Sequence, residues 1–135
     1  MNALSKVLLF ATATATLSCA APGGPYGEPY SIVVTDKAAQ ADLHLRPVIV
    51  NRIDGKSITD NIGVVPPGPH EVVLDLPAHA GFRTATQRTL QLETRPCTRY
   101  YVMARLDTPI TQEWTPEVKY SEPIGECRAK FGVGG

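Results

Sequence analysis

Three histidines are the first residues of this sequence that could take part in metal or proton chemistry: His44, His70 and His79. No two of them lie two or four positions apart, the spacings that point two imidazoles from one face toward one metal ion. Alternation along its strand puts His44 on the solvent side, and His70 follows a turn. We therefore predict surface histidines, with a turn contact for His70, and neither a metal site nor a cofactor.

Nucleophiles and carboxylates give no stronger indication of catalysis. Beyond residue 30 the serines are Ser31, Ser57 and Ser121, and none lies in a Gly-x-Ser-x-Gly motif. Four glutamates lie close together near the C-terminus, at positions 113, 117, 122 and 126. Sequence spacing does not establish the separation of roughly 5 to 9.5 Å that a glycosidase pair needs. We predict a protein that is not an enzyme.

Aromatic and basic residues are the remaining candidates for a binding site. Arginine edges beside aromatic faces suit the stacking of a sugar or a peptide. The residues that could form such a surface are Arg99, Tyr100, Tyr101, Arg105 and Trp114. The alternative is that the tryptophan and the tyrosines pack in the core, as is common in a small domain. Both interpretations stay open at this stage.

The first 18 residues have the layout of an export signal. Lys6 supplies positive charge, an apolar stretch of eleven residues runs from Val7 to Leu17, and small residues follow. A helix needs about 20 residues to cross a bilayer, so this stretch is too short to span one. It is predicted to be removed on export.

The residues Ala15-Thr16-Leu17-Ser18-Cys19 resemble the lipobox of bacterial lipoproteins. The resemblance implies that Cys19 is acylated, becomes the mature N-terminus and holds the protein on a lipid bilayer. Because Ala20 rather than Asp follows it, the resemblance also implies an outer-membrane protein that faces the periplasm. The alternative is ordinary cleavage after Ala20, which would give a secreted or soluble periplasmic protein.

Cysteine parity favours lipidation. Three cysteines in an exported chain leave one unpaired, and acylation of Cys19 removes it from the count. Cys97 and Cys127 then remain as a pair that an oxidising compartment would join. The same compartment disfavours either of them as a free catalytic thiol.

The predicted organisation has four parts: a signal peptide at 1–18, an acyl-cysteine with a Pro/Gly-rich tether at 19–30, one domain at 31–131 and a flexible tail at 132–135. Thirteen Lys plus Arg balance thirteen Asp plus Glu, so we expect no nucleic-acid partner.

The pattern between residues 31 and 131 is that of a single small all-β sandwich of about seven short, mainly antiparallel strands. Short alternating or β-branched runs follow one another between turn signals. These runs cover Ser31 to Thr35, Asp42 to Asn51, Ser57 to Val65, His70 to Leu76, Thr86 to Glu93, Arg99 to Asp107 and Glu113 to Tyr120. Alternation predicts core positions for the leucine pairs Leu43 and Leu45, and Leu90 and Leu92.

Proline and glycine predict where these runs turn. Asp54-Gly55 is a hairpin signal, because a tight turn requires the positive φ that Gly accepts. Pro47 predicts an edge, a kink or a bulge in its strand, since proline donates no hydrogen bond. The stretch from Val64 to His70, which holds three prolines, is predicted to lie outside any ladder.

Residues 42 to 76 are similar to PEGA-like β-domains of bacterial envelope proteins, through Ile53-Asp54-Gly55-Lys56 and the later Val65-Pro66-Pro67-Gly68-Pro69-His70. The second half looks like the ending of small proteobacterial lipoproteins, through Cys97-Thr98-Arg99-Tyr100-Tyr101 and Ile124-Gly125-Glu126-Cys127. Both resemblances imply a non-enzymatic binding or structural accessory of the envelope, whose partner is an envelope protein or a cell-wall component.

Two other functions remain as alternatives. One is an inhibitor of a lysozyme-like hydrolase, which an exposed rigid loop at Pro77 to Arg83 would favour. The other is a cell-wall enzyme, which would require a cleft that brings a histidine beside a carboxylate.

Overall fold

Two β-sheets packed face to face, with one short helix, make up the protein in a computed structural model that describes residues 27–38, 41–78 and 85–133. The sequence-based prediction of an all-β sandwich is confirmed, with nine strands over these residues where about seven were expected. The elements are β1 (Ser31–Thr35), β2 (Leu45–Pro47), β3 (Ile49–Ile53), β4 (Lys56–Ser57), β5 (Ile62–Val65), β6 (Gly68–Leu76), β7 (Thr86–Thr94), β8 (Thr98–Leu106), β9 (Trp114–Pro123) and α1 (Gly125–Phe131).

The five-stranded sheet is built around β8. Along one edge β8 pairs antiparallel with β9 over its whole length. Along the other edge it pairs first with β1, in parallel, and then with β2, antiparallel. β5 lies at the far edge, antiparallel to β1. The strand β1 is therefore held between β8 and β5.

The four-stranded sheet has the order β4, β3, β6, β7 and is antiparallel throughout. β3 and β4 form the hairpin that the sequence predicted at Asp54-Gly55, and these two residues have φ angles of 51° and 80°. Aspartate is among the few residue types that adopt positive φ readily, so the turn needs no compensation elsewhere.

The predicted strand from Asp42 to Asn51 is two strands in two different sheets. β2 belongs to the five-stranded sheet and ends at Pro47, and β3 belongs to the other sheet and begins at Ile49. Val48 lies between them, buried, and its N–H donates to Thr35 Oγ1 at 3.1 Å. The kink predicted at Pro47 thus becomes a crossing between the layers.

Two other boundaries were predicted wrongly. The run from Ser57 to Val65 is interrupted, so β4 and β5 are separate strands. The proline-rich turn is shorter than expected, because β6 begins at Gly68 and Pro69 pairs in register with Glu93. Proline is tolerated there since this end of β6 pairs with β7 alone, and the pairing with β3 begins only at Val72.

Inward-pointing side chains of both sheets form the main core, defined by fourteen buried residues. They are Val33, Val48, Val50, Ile53, Val65, Val72, Leu74, Leu76, Leu92, Tyr100, Val102, Ala104, Leu106 and Trp114. Leu92 is a member and Leu90 packs against it, as predicted. Leu45 is buried as well, but the prediction for Leu43 is wrong, because 62 % of that residue is exposed. Leu43 precedes β2, so strand alternation does not apply to it.

A second, smaller set of buried residues, here called the disulfide cluster, lies where α1 meets the start of β8. Its members are Tyr30, Cys97, Ile124 and Cys127, with Ile32, Val64 and Phe131 packed against them. Cys97 and Cys127 form a disulfide with their Cα atoms 5.3 Å apart, which confirms the predicted pairing. Such a bond indicates an extracytoplasmic location.

α1 was not predicted. A helix of seven residues is too short to be stable alone, and here Cys127 fixes it to the sheet. Its end signal was nevertheless present in the sequence: Gly132 follows the last helical residue in the left-handed conformation, with φ of 62°. Basic side chains at Arg128 and Lys130 suit the last turn, where the helix dipole is negative.

Candidate functional site

The five residues of the predicted binding surface fall into two groups. Tyr100 and Trp114 belong to the main core, as the alternative interpretation expected. The Tyr100 hydroxyl accepts a hydrogen bond from the N–H of Arg95 at 2.8 Å, and Trp114 Nε1 donates to Thr86 Oγ1 at 2.7 Å. Both rings are engaged inside the fold, so neither forms part of an external surface.

Arg99 and Tyr101 lie on the outer face of the five-stranded sheet, where they share one carboxylate. The Tyr101 hydroxyl donates to Glu122 Oε1 at 2.7 Å, and Arg99 Nη1 donates to the same oxygen at 3.2 Å. The β8–β9 register explains the meeting, because it places Glu122 opposite Arg99 and Tyr120 opposite Tyr101. Strands β8 and β9 thus position the whole group.

The charges of this group determine its chemistry. The hydrogen bond to Glu122, followed by burial, raises the pKa of Tyr101 above its ordinary value. The hydrogen bonds from Tyr101 and then Arg99 lower the pKa of Glu122. The phenol therefore stays a hydrogen-bond donor and the carboxylate stays charged over the neutral range. Such a group suits recognition better than proton transfer.

Tyr120 adds a second aromatic ring to the outer face. Its ring stacks on that of Tyr101, with centroids 4.3 Å apart and planes 18° from parallel. Lys119 Nζ lies 5.6 Å from the Tyr120 centroid, within range of a cation–π contact. With 41 % of the residue exposed, Tyr120 presents a rigid aromatic surface to solvent.

Beside Tyr101 the outer face forms a depression of about 440 Å³, here called the outer groove and defined by Ile32, Val34, Ile62, Arg99, Tyr101 and Glu126. β1 and β5 supply its aliphatic floor, and Ile62 is 47 % exposed although it is a large apolar residue. Tyr30 and Ile124 of the disulfide cluster close one end. The volume lies within the range of about 300 to 1,000 Å³ that is typical of ligand sites.

Arg105, the last residue of the predicted surface, is not part of this site. It lies six residues further along β8 than Arg99, or roughly 20 Å at the rise of a strand. Its guanidinium donates to Glu117 Oε2 at 2.9 Å and lies 3.5 Å from Asp42 Oδ2. Both pairs are exposed, so they contribute little to stability.

His70 and Asp54 form the histidine–carboxylate pair that a catalytic function would require. His70 Nδ1 lies 2.6 Å from Asp54 Oδ2, but its Nε2 lies 2.6 Å from the carbonyl oxygen of Pro66. The ring is only 7 % exposed. A catalytic histidine needs one nitrogen free to meet substrate, so this pair serves the hairpin turn instead. The predicted turn contact of His70 is confirmed, but the predicted surface position is wrong, because both ring nitrogens are bound inside the turn and the residue is buried.

The other predicted chemical residues are dispersed. His44 is half-buried, with Nδ1 3.0 Å from the carbonyl oxygen of Leu106. His79, Cys19, residues 1–18 and most of the loop Pro77 to Arg83 lie outside the described residues. Within the described residues, no group of three or more His, Cys, Asp or Glu side chains could hold a metal ion. The same part of the chain contains no helix with the length and apolar character to span a bilayer.

Sequence reasoning missed Tyr120 and Glu122 as members of the site. A register shift lies between Tyr101 and Val102, where β9 moves from Tyr120 to Val118 and leaves Lys119 as the extra residue. Strict alternation would put Val118 and Tyr120 on one face, whereas Val118 packs against the main core and Tyr120 lies outside. The opposite charges of Arg99 and Glu122 were a visible signal, but only the register pairs them.

Comparisons of the chain with protein-family models, with curated proteins and with solved structures find no match.

Proposed function

We propose that the protein is a membrane-anchored periplasmic lipoprotein that acts as a non-catalytic binding accessory of the cell envelope, with the outer groove and the Tyr101–Tyr120 stack as its contact surface. The observation that carries the contact surface is the exposure of Ile62, which lines the outer groove, and of Tyr120, which stacks on Tyr101 at its side. Exposed apolar and aromatic residues beside a concavity are typical of interaction surfaces.

The chemistry of the groove favours a protein partner over a glycan. Its floor is aliphatic, from Ile32, Val34 and Ile62, and its charged groups are one arginine and one glutamate. A glycan site would need an open aromatic platform with many polar groups, and here one face of the Tyr101 ring is already covered by Tyr120. A partner's apolar side chain matches the floor, and β5 offers a strand edge beside it.

Photocrosslinking in the native envelope tests the contact surface. A photoreactive residue at Ile62 should capture an envelope protein, whereas the same residue at the exposed Thr89 of the four-stranded sheet should not. The variant Tyr120→Ala should weaken the capture, because it removes the exposed ring of the stack. Equal capture from Ile62 and Thr89, or capture of wall glycan from Ile62, would refute the proposed surface.

A separate experiment tests the anchor. Replacement Cys19→Ala should abolish incorporation of labelled palmitate and move the protein from the membrane to the soluble fraction. The matched control Cys97→Ala should keep the label, since its cysteine belongs to the disulfide. Unchanged membrane association of Cys19→Ala would exclude lipid anchoring and favour a soluble exported protein.

A further inference from the structure

A second concavity lies at the end of the sandwich where β8 begins and β9 ends. It has a volume of about 410 Å³ and is here called the basic cleft, defined by Arg95, Pro96, Thr98, Ser121, Pro123 and Arg128. Three structural elements contribute to it: the turn before β8, the end of β9, and α1. Two arginines thus face one concave space from different parts of the chain.

These two arginines differ from most others in the protein. Across residues 27–38, 41–78 and 85–133, neither Arg95 nor Arg128 has a side-chain hydrogen bond or an ion pair. Four of the other described arginines, Arg46, Arg88, Arg99 and Arg105, donate to protein oxygens. The exposed Arg52 does not, but it lies outside any described concavity. A guanidinium carries five N–H donors, so a pair without acceptors represents a large unused capacity for hydrogen bonding.

Arg128 carries the more unusual feature. Its Nε atom is buried from water and has no hydrogen-bond partner. Buried donors in folded proteins are nearly always paired, and an unpaired one is costly. An oxyanion seated in the cleft would draw the guanidinium of Arg128 toward it and give this N–H an acceptor.

The protein's own carboxylate in the cleft is already engaged. Glu122 lines the cleft, but its Oε1 atom accepts hydrogen bonds from Arg99 and Tyr101 on the outer face. The low pKa of Glu122 reflects these same bonds. Glu122 Oε1 is thus committed to the outer face, and within the described residues no carboxylate forms an ion pair with Arg95 or Arg128.

We infer that the basic cleft binds a phosphate group, with Arg95 and Arg128 as its paired guanidinium ligands. A carboxylate presents one edge of two oxygens to an arginine fork, whereas a tetrahedral phosphate presents several such edges and can pair with two forks at once. Ser121 lines the same cleft and its hydroxyl can add a donor, whereas the Thr98 hydroxyl already donates to the Pro96 carbonyl at 3.1 Å.

The size and position of the cleft bear on the source of the phosphate. Its volume exceeds that of a bare ion and its prolines offer apolar contact, so an organic phosphate fits better than inorganic phosphate alone. The chain enters β1 at this end, since the N–H of Cys97 in the adjoining turn donates to the Tyr30 carbonyl at 2.7 Å. An anchor preceding Tyr30 would bring this end toward the bilayer, where lipid headgroups supply phosphate.

Titration of the full chain with inorganic phosphate at constant ionic strength tests the site itself. The Nε–H resonance of Arg128, followed in protein labelled at arginine nitrogen, should shift in a saturable way, whereas that of the exposed Arg52 should not. Arg95→Gln should weaken phosphate binding about tenfold or more, because it removes a charge-assisted contact. Arg52→Gln, which removes the same charge from the other sheet, should leave binding unchanged.

Vesicles distinguish the two sources. The exported Cys19→Ala protein, which lacks the proposed anchor, is mixed with phosphatidylcholine vesicles with and without phosphatidylglycerol. Cosedimentation that Arg95→Gln abolishes and Arg52→Gln does not would assign the site to lipid headgroups. Binding of phosphate without binding of vesicles would assign it to a soluble phosphate compound.

Two results would overturn the inference: no saturable shift of Arg128 up to high millimolar phosphate, or equal phosphate affinity of Arg95→Gln and the wild type. Arg95 is exposed in a turn, so its replacement leaves the fold intact and a loss of binding cannot be ascribed to unfolding. The outer groove takes no part in these measurements, and the proposed function stands or falls separately.

Discussion

The main core and the disulfide cluster hold the same domain together in different ways. The main core joins two sheets through fourteen buried side chains, nearly all aliphatic, supplied by alternate positions along the strands. The disulfide cluster has four buried residues and depends on one covalent bond to keep a seven-residue helix in place. Burial stabilises the first region, and the cross-link stabilises the second.

The difference matters because the small cluster borders both concave sites. Tyr30 and Ile124 close one end of the outer groove, and Arg128, on the same short helix as Cys127, lines the basic cleft. The main core supplies a rigid sheet, but the shape of the sites depends on α1. Stability and binding should therefore respond differently to changes in the two regions.

The largest effect is expected from the main core. Leu74→Ala removes a fully buried side chain of β6 from the main core and should lower the free energy of unfolding by about 3 to 5 kcal/mol. Chemical denaturation measures it, with the exposed Leu43→Ala as the matched control that should cost little. Similar losses of stability in the two variants would mean that Leu74 is not packed between the sheets as described.

The disulfide should come second, with a more local result. Replacing Cys97 and Cys127 together by alanine should cost about 2 to 4 kcal/mol, since a loop between residues 30 positions apart is released. Amide hydrogen exchange should show α1 unprotected while β3, β6 and β7 keep their protection. Reduction of the wild type should reproduce this pattern. Loss of protection in all strands at once would contradict the division into two regions.

A smaller and pH-dependent effect is expected at the β3–β4 hairpin, which belongs to neither region. Hydrogen bonds from His70 and then the N–H of Glu71 lower the pKa of Asp54. Asp54→Asn keeps the turn, because Asn also tolerates positive φ, and should cost about 1 kcal/mol at neutral pH, the carboxylate being half exposed. The difference in stability between Asp54→Asn and the wild type should vanish as the pH falls from 3.8 to below the lowered pKa of Asp54, because the carboxylate is then protonated. A constant difference across that range would exclude a stabilising contribution from the ionised Asp54 carboxylate.

The smallest effect on stability concerns the outer face. In Glu122→Gln the pKa of Tyr101 should fall back toward its ordinary value of 10.0, because the largest cause of its elevation is removed. Titration of phenolate absorbance measures the change, and Tyr101→Phe identifies the transition by eliminating it. An unchanged titration in Glu122→Gln would mean that the hydrogen bond is absent in solution.

Local patterns predicted what local forces determine. The bounds of β1, β7 and β8 follow from alternating β-branched and apolar residues, and the Asp54-Gly55 hairpin follows from its φ requirement. The disulfide followed from cysteine parity once Cys19 was assigned to the proposed acyl anchor. Each of these predictions depends on residues that are near in sequence or on a count, which a single sequence supplies.

Tertiary contacts determined what the sequence did not reveal. The chain changes sheet at Val48, whose side chain is buried by tertiary packing. α1 depends on the disulfide from Cys127 to Cys97, 30 positions away. The site was half predicted: Arg99 and Tyr101 were named, but Tyr120 and Glu122 reach them only through the β9 register shift. A bulge of one residue leaves no unambiguous signature in sequence.

The position of β1 between β5 and β8 has a mechanical consequence. Under the proposed function, a domain anchored by its N-terminal segment and bound by a partner would be under tension, and that force would enter the fold at Tyr30. The next element is β1, which forms four residue pairs with β5 and four with β8. The N–H of Cys97 also donates to the Tyr30 carbonyl. A pull on the chain cannot detach an edge strand first, because the strand that receives it lies inside the sheet. The proposed anchor would thus attach the protein at a point suited to resist being pulled apart.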